Sequence, residues 1–154
     1  MAALFAAALG IEREWRRQSA GFRTHILVSV GACLFTVVGA YAFNTPGESA
    51  SGVLRVDISR VASQVVVGIG FLGGGAILKS GLNVRGLTTA ANLWLAAAVG
   101  MSVGVGYYFA AFITVVVALL ALTGLRPIER RLFGKAAADD DVRSVPRRRE
   151  GPGE

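Results

Sequence analysis

The longest uncharged stretch of the sequence is residues 86–125, which read GLTTAANLWLAAAVGMSVGVGYYFAAFITVVVALLALTGL. A soluble domain needs charged outer faces on its helices, and this stretch provides none. From Leu87 to Leu125, a single helix would be about 58 Å long, nearly twice the ~30 Å of bilayer hydrocarbon. Glycines near the middle favour a turn there. The stretch therefore predicts two membrane spans, one ending near Val105 and one running from about Tyr108 to Leu125.

Three further apolar segments precede this stretch. One span is predicted from about Thr24 to Phe43 and another from Val61 to Leu78, both free of acidic and basic residues before their ends. Met1 to Ile11 is apolar but covers only about 16 Å as a helix. This first span is therefore either short or truncated, with a start upstream of Met1. With 53% hydrophobic and 17% charged residues, the chain is predicted to be an all-α membrane protein, a bundle of about five transmembrane helices.

Positive charges indicate how the spans are oriented. All but two of the 16 Lys and Arg residues, Arg55 and Arg60, fall in the first-to-second loop, the third-to-fourth loop or the C-terminal tail. Lys and Arg collect on the cytoplasmic side of membrane proteins. This predicts a multi-pass protein of the bacterial cytoplasmic (inner) membrane with a cytoplasmic C-terminus.

The C-terminal tail differs in composition from the rest. Residues 136–154 combine Pro, Gly and dense charge without apolar periodicity, which predicts a disordered cytoplasmic tail after a transmembrane domain at 1–135. Arginine runs beside a membrane more often set topology or contact anionic lipid than bind nucleic acid. We therefore expect the lipid bilayer, rather than nucleic acid, as a partner of this segment.

No pattern of catalytic or metal-binding residues is visible. Cys33 is the single cysteine and His25 the single histidine. The sequence therefore shows no pair of a nucleophile and a base, and no residues spaced as metal ligands. The segment from Gly68 to Gly73 matches the dinucleotide pattern G-x-G-x-x-G, but it lies within a predicted span and follows no strand. No carboxylate or lysine lies in the middle of a span, which argues against a simple cation channel. We expect a protein that is not an enzyme and holds no cofactor or metal.

Glycines recur at spacings that suit close contact between helices in lipid. Gly70 and Gly74, like Gly100 and Gly104, have G-x-x-x-G spacing. Three consecutive glycines weaken a helix and are also compatible with a kink lining a cavity. Packing is the favoured interpretation and a kink the alternative. The candidate packing or kink residues are Gly68, Gly70, Gly73, Gly74, Gly75, Gly100 and Gly104.

Polar residues gather near the predicted cytoplasmic ends of the spans. Thr88 or Thr89 is expected to cap the fourth helix, and Thr88 and Asn92, four residues apart, share a face. Capping and snorkelling charges explain many such clusters. The functional alternative is a pocket for an anion or a partner protein at the helix start. The candidate cytoplasmic-face cluster is Glu12, Arg23, His25, Arg85, Thr88 and Asn92, and a smaller outer-face group is Asp57, Arg60 and Gln64.

Four segments resemble one known family. These are GIERE at 10–14, AGFRTHILVSVGA at 20–32, DISRVASQVVVGIGFLGGGAI at 57–77 and VRGLTTAANLW at 84–94. They are similar to the MgtC/SapB family of bacterial inner-membrane proteins, in order and over about residues 8–125. The resemblance implies a bundle of about five helices and a role linked to magnesium homeostasis, magnesium limitation or virulence. The first helix is shorter than the family's, and the soluble C-terminal domain that some members carry is not seen.

Two functions follow as hypotheses. The favoured one is a non-enzymatic protein that binds or regulates other membrane proteins, with formation of a homo-oligomer left open. Its support is the cytoplasmic polar cluster together with the small-residue helix faces. The alternative is a membrane transporter, with Mg²⁺ as a candidate substrate and the glycines at 73–75 as its broken helix.

Overall fold

A computed structural model of the chain describes residues 1–41, 58–80 and 83–132. Within these residues it contains five α-helices and one two-stranded antiparallel sheet. This confirms the prediction of an all-α membrane protein. The helices are α1 (Ala2–Trp15), α2 (Phe22–Tyr41), α3 (Ile58–Ala76), α4 (Leu87–Gly104) and α5 (Tyr108–Leu132), and the strands are β1 (Leu78–Ser80) and β2 (Asn83–Arg85).

The five helices differ in their capacity to cross a bilayer. Among the described residues, α2, α4 and the Tyr108–Leu125 part of α5 are long and apolar enough to do so. The apolar part of α3, Arg60–Ala76, is shorter than these three. The 14 residues of α1 reach about 21 Å, which is less than the hydrocarbon thickness. The length criterion thus supports three full spans and two shorter helices.

The connection between α3 and α4 differs from the predicted loop. Strands β1 and β2 form a short hairpin in which Leu78 lies opposite Arg85 and Lys79 opposite Val84. Gly86 then precedes α4 with a φ of 87°, a left-handed conformation in which a Cβ would also overlap the carbonyl oxygen of Ala76. The prediction that Thr88 or Thr89 caps α4 is therefore wrong, because this turn starts the helix at Leu87.

The turn between α4 and α5 lies where the glycines predicted it. Gly106 has a φ of 86°, and the N–H groups of Val105 and Gly106 donate to carbonyl oxygens in the last turn of α4. Such a reversal satisfies the free carbonyl groups at the end of a helix. It separates the long uncharged stretch into two helices instead of one of double length.

Helix α2 contacts α1, α3 and α4 through a stripe of small and polar residues. The stripe repeats every three or four positions, as expected for one face of a helix. Its buried members are His25, Ser29, Ala32, Thr36 and Gly39. A Cβ at Gly100 of α4 would overlap the carbonyl oxygen of Ser29, and a Cβ at Gly39 would lie 2.8 Å from Cβ of Val61. Small residues therefore bring these helix backbones close together, as is typical of helix contacts in lipid.

Two groups of buried apolar side chains lie around this stripe. One contains Ala2, Leu9, Val99, Val103, Ala111, Val115 and Ala118, and the other contains Ala20, Ala32, Ile69, Leu93 and Ala97. The chain forms two compact units, Met1–Leu119 and Leu120–Glu154, and the boundary between them falls inside α5. Both groups belong to the first unit, and the second contains the end of α5. The tail predicted to be disordered, 136–154, lies outside the described residues.

Candidate functional site

The last turn of α1 places an arginine inside the protein. The buried face of α1 runs through Ala2, Ala6, Leu9 and Arg13, at intervals of four, three and four residues. Arg13 therefore lies on the packing face, and only 1% of it is exposed. One of its Nη2 hydrogen bonds goes to Oε1 of Gln18 at 3.0 Å and another to Oγ1 of Thr89 at 2.8 Å. The guanidinium thereby joins α1 to the following loop and to the first turn of α4.

The neighbouring carboxylate is also buried. Glu12 is 8% exposed and forms an ion pair with Nε of Arg16, one helical turn further along α1. Its second oxygen, Oε2, is buried and has no hydrogen-bond partner among the described residues. A carboxylate and two guanidinium groups, those of Arg13 and Arg16, thus lie in consecutive turns at this end of α1.

The start of α2 fixes the single histidine. Oε2 of Glu14 accepts the N–H of Phe22 at 3.1 Å, which satisfies a free donor at the helix start. One turn later, His25 is 0% exposed, and its Nδ1 lies 2.8 Å from the carbonyl oxygen of Gly21. Because a carbonyl oxygen only accepts, this bond assigns the ring hydrogen to Nδ1. In the neutral ring, Nε2 is then an acceptor, and it is buried and without a partner in the described part of the chain.

The first turns of α4 supply the remaining polar groups. Thr89 and Asn92 are three residues apart and both buried, with Asn92 5% exposed. Thr89 accepts from Arg13, whereas Nδ2 of Asn92 is buried without a hydrogen-bond partner in residues 1–41, 58–80 and 83–132. The face of α4 that meets α1 and α2 is thus polar at its start and apolar further along.

The predicted cytoplasmic cluster divides into a buried and an exposed part. Glu12, His25 and Asn92 are buried at the junction of α1, α2 and α4, whereas Arg23, Arg85 and Thr88 are exposed. We call the first set, together with Arg13 and Thr89, the buried polar cluster. We call the exposed residues Arg23, Lys79, Arg85 and Thr88 the exposed rim. They lie near the start of α2, the end of α3 and the start of α4.

Sequence reasoning misses two central members of the buried polar cluster. It treats Arg13 only as a topology signal, and it prefers Thr88 to Thr89 because Thr88 lies four residues before Asn92. The burial of Arg13 is indicated by its spacing from Ala2, Ala6 and Leu9, which places it on the same face of α1. For Thr89, the signal is its phase with the alanines and Gly100 of α4, which together form the buried face.

The outer-face group is only partly described. Asp57 lies outside the described residues, and Arg60 and Gln64 are exposed on α3. Gln64 lines a groove of about 460 Å³ between α2 and α3. The other described residues that line the groove are apolar or glycine: Leu27, Val28, Gly31, Ala32, Phe35, Val61, Val65, Gly68, Ile69, Leu72 and Ala97.

The candidate glycines have different surroundings. A Cβ on Gly100 or Gly104 would overlap atoms of α2, and one on Gly73 would make ordinary contact with Ala90 of α4. For Gly68, Gly70, Gly74 and Gly75, a Cβ would meet no atom within 4 Å in the described chain. Helix α3 is unbroken through all of them. The glycines of α4 thus contact a neighbouring helix, whereas most of those in α3 face open space.

The described residues contain no group of three or more His, Cys, Asp or Glu side chains placed to hold a metal ion.

Five helices with apolar outer surfaces and a buried polar junction at one end define a multi-pass α-helical membrane protein. A model of the MgtC family matches residues 1–131. The chain belongs to the MgtC family.

Several relatives match most of this chain. The "Putative magnesium transporter YhiD" of Escherichia coli K12 is 41% identical over 135 residues, which cover 88% of this chain and 62% of the relative. "Protein MgtC" of Salmonella typhimurium LT2 is 40% identical over 131 residues, covering 85% and 52%. "Uncharacterized protein slr0014" of Synechocystis is 44% identical over 128 residues, covering 83% and 50%. The chain thus spans about half to three fifths of the length of these relatives. No solved structure matches.

Proposed function

We propose that this MgtC-family protein is a non-enzymatic, multi-pass protein of the bacterial cytoplasmic membrane that regulates other membrane proteins by binding them. Its tail lies in the cytoplasm, because the basic residues concentrate on that side. The protein acts under magnesium limitation or in virulence, in keeping with the family resemblance. The observation that carries the proposal is the groove between α2 and α3.

The groove has the properties of a docking site for a transmembrane helix. Gly31 and Gly68 lie in its walls, and a Cβ on either would meet no atom within 4 Å, so another helix backbone has room to approach. Gln64 lies about 9 Å from the start of α3 at 1.5 Å per residue. Its amide has no hydrogen-bond partner in the described part of the chain and borders apolar walls. Amides in such a setting stabilise contacts between helices by hydrogen bonding across them.

The occupant that fits this groove is a membrane-spanning helix of another protein that carries an amide or hydroxyl group. A lipid chain would fill the apolar walls but leave the Gln64 amide without a partner. A helix with a polar side chain at that depth satisfies both parts of the groove. The exposed rim, at the other end of the bundle, is suited to contact polar segments of the same partner, because its charged side chains are not used within the described fold.

The buried charged residues favour a protein that binds a partner protein over one that transports a cation. Glu12 is paired with Arg16, and the guanidinium of Arg13 lies at the same junction. A divalent cation requires several oxygen ligands, with carboxylates prominent among them. In residues 1–41, 58–80 and 83–132, the buried carboxylate of Glu12 is thus already paired with Arg16 rather than surrounded by further oxygen ligands.

Substituting Gln64 tests the groove directly. With a photo-crosslinking residue at position 72, we expect the full-length chain in its native membranes to crosslink to a discrete membrane protein. Gln64→Leu should weaken that crosslink about 3- to 30-fold, because one interhelical hydrogen bond in lipid contributes about 0.6–2 kcal/mol. The measurement is crosslinked product per inserted protein, with mass spectrometry to identify the partner.

A neighbouring polar residue provides the control. Ser63 is also exposed on α3, but its hydroxyl donates to the carbonyl oxygen of Arg60 and it does not line the groove. Ser63→Ala should leave the crosslink unchanged. Equal crosslinking by Gln64→Leu and the wild type would refute the docking site. Crosslinks formed only with a second copy of this chain would refute the proposal of a different partner.

Transport of Mg²⁺ is the second candidate, favoured by the name of the Escherichia coli relative. The test is flux into liposomes that contain only the purified protein. A Mg²⁺-dependent signal above that of empty liposomes would establish transport and displace the regulatory proposal. We expect no such signal.

A further inference from the structure

Glu12, His25 and Asn92 of the buried polar cluster each carry a buried atom that accepts or donates no hydrogen bond in the part of the chain that the structure describes. These atoms are Oε2 of Glu12, Nε2 of His25 and Nδ2 of Asn92, on three different helices. Each parent side chain is at least nine-tenths buried. A buried polar atom without a partner costs about 1–3 kcal/mol, and three at one junction would be unusual. Solvent or another group outside the described residues would remove this cost.

The three groups are brought to one place by contacts already described. Glu12 adjoins Arg13, whose guanidinium bonds to Thr89, and Asn92 follows Thr89 on the same face of α4. His25 is near enough for the charges of both Arg13 and Glu12 to act on its imidazole. Gly10 brings α1 against the start of α2, since a Cβ there would lie 2.7 Å from Cα of Phe22 and 3.3 Å from Cβ of His25. The three side chains are thus buried where α1, α2 and α4 meet.

Their hydrogen-bonding character defines the missing partner. The carboxylate of Glu12 accepts, and Nε2 of His25 accepts because Nδ1 holds the ring hydrogen for Gly21. Nδ2 of Asn92 only donates. The ligand must therefore offer two donor hydrogens and at least one acceptor lone pair. A metal cation and an ammonium ion offer no acceptor for Asn92, and a fully deprotonated anion offers no donor for Glu12 or His25.

Water meets all of these requirements. We propose that Glu12, His25 and Asn92 form an enclosed binding site for water at the junction of α1, α2 and α4. A water there donates to Glu12 and His25 and accepts from Asn92, which gives it the three bonds typical of buried waters. The water adds hydrogen bonds between the three helices to the direct bonds from Arg13 to Thr89 and from Phe22 to Glu14. It is independent of the groove between α2 and α3 and of any partner docked there.

The single histidine makes the site measurable. Because the chain has one histidine, selective ¹⁵N labelling gives one pair of imidazole resonances from the full chain in lipid bilayers. We expect a neutral ring protonated at Nδ1, with a solid-state NMR correlation between Nε2 and a water proton. Asn92→Leu removes the donor and fills the space, so the water correlation should be lost while the Nδ1 signal remains.

A second amide serves as the matched control. Gln64→Leu makes the same kind of substitution on the exposed side of α3 and should leave both histidine signals unchanged. A protonated Nε2, or no water correlation in the wild type, would overturn the proposal even if Asn92→Leu did not insert. A shift of the Nε2 resonance on addition of Mg²⁺ or Zn²⁺ would also overturn it, since that result would make the site a metal site.

Discussion

Gly100→Ala is expected to lower the free energy of unfolding by about 3 kcal/mol, the upper part of the usual range for overpacking. The added Cβ would overlap the carbonyl oxygen of Ser29, and a Cβ there would also lie within 3 Å of two further backbone atoms of that residue. A flexible side chain could rotate away, but a backbone carbonyl inside α2 cannot move without shifting the helix. The substitution therefore separates α2 and α4 along the surface on which both helices depend.

The measurement is thermal or denaturant unfolding of the purified protein in the same lipid or detergent for all variants. Gly74→Ala is the matched control, because it makes the same change in a helix where a Cβ meets nothing within 4 Å. Alanine is favoured over glycine in a helix by about 1 kcal/mol, so this control should be neutral or stabilising. Equal effects of the two substitutions would show that close contact between α2 and α4 contributes nothing to stability.

Arg13→Leu is expected to destabilise the bundle by about 3 kcal/mol, the upper end for a hydrogen bond to a charged group. Leucine approximates the apolar stem but removes the guanidinium, leaving Oε1 of Gln18 and Oγ1 of Thr89 without the hydrogen bonds that Arg13 supplied. The link between the end of α1 and the start of α4 is thereby lost. The result should appear both as a lower unfolding midpoint and as faster proteolysis after Arg16 or Arg17.

Arg23→Leu provides the comparison for this second substitution. It removes the same charge at the start of α2, but Arg23 is exposed, so we expect a change within about 0.5 kcal/mol. Arg13→Lys should behave more like Arg13→Leu than like the wild type, because an ammonium group does not reproduce the planar donor geometry of guanidinium. If both arginines tolerate leucine equally, the buried cluster does not hold the helix ends together.

The helices could be predicted because uncharged length is a strong signal in a membrane protein. The absence of charge from Gly86 to Leu125, and the glycines within it, indicate both α4 and α5 and the turn between them. The hairpin between α3 and α4 could not be predicted, because three residues per strand are too few to show alternation. The start of α4 is misplaced in the prediction because Gly86 adopts a left-handed conformation that propensity for Ser or Thr caps does not anticipate.

The candidate site could be predicted in location but not in composition. The polar residues at the helix ends point to the correct end of the bundle, yet exposure depends on the rotation of each helix about its axis. That rotation follows from which small residues contact other helices, as Gly100 contacts Ser29. Without that information, the sequence places Arg13 at the membrane surface and favours Thr88 over Thr89.

Helix α3 has a lower intrinsic helix stability than the neighbouring helices. Five of its last nine residues are glycine, from Gly68 to Gly75, and four of the five make no contact that their lack of a side chain would explain. Each costs about 1 kcal/mol of helix stability relative to alanine. Segments with poor intrinsic stability and few buried contacts unfold locally before the rest of a protein does. The second half of α3 is therefore the wall of the groove that is better able to reshape around the helix proposed to dock there.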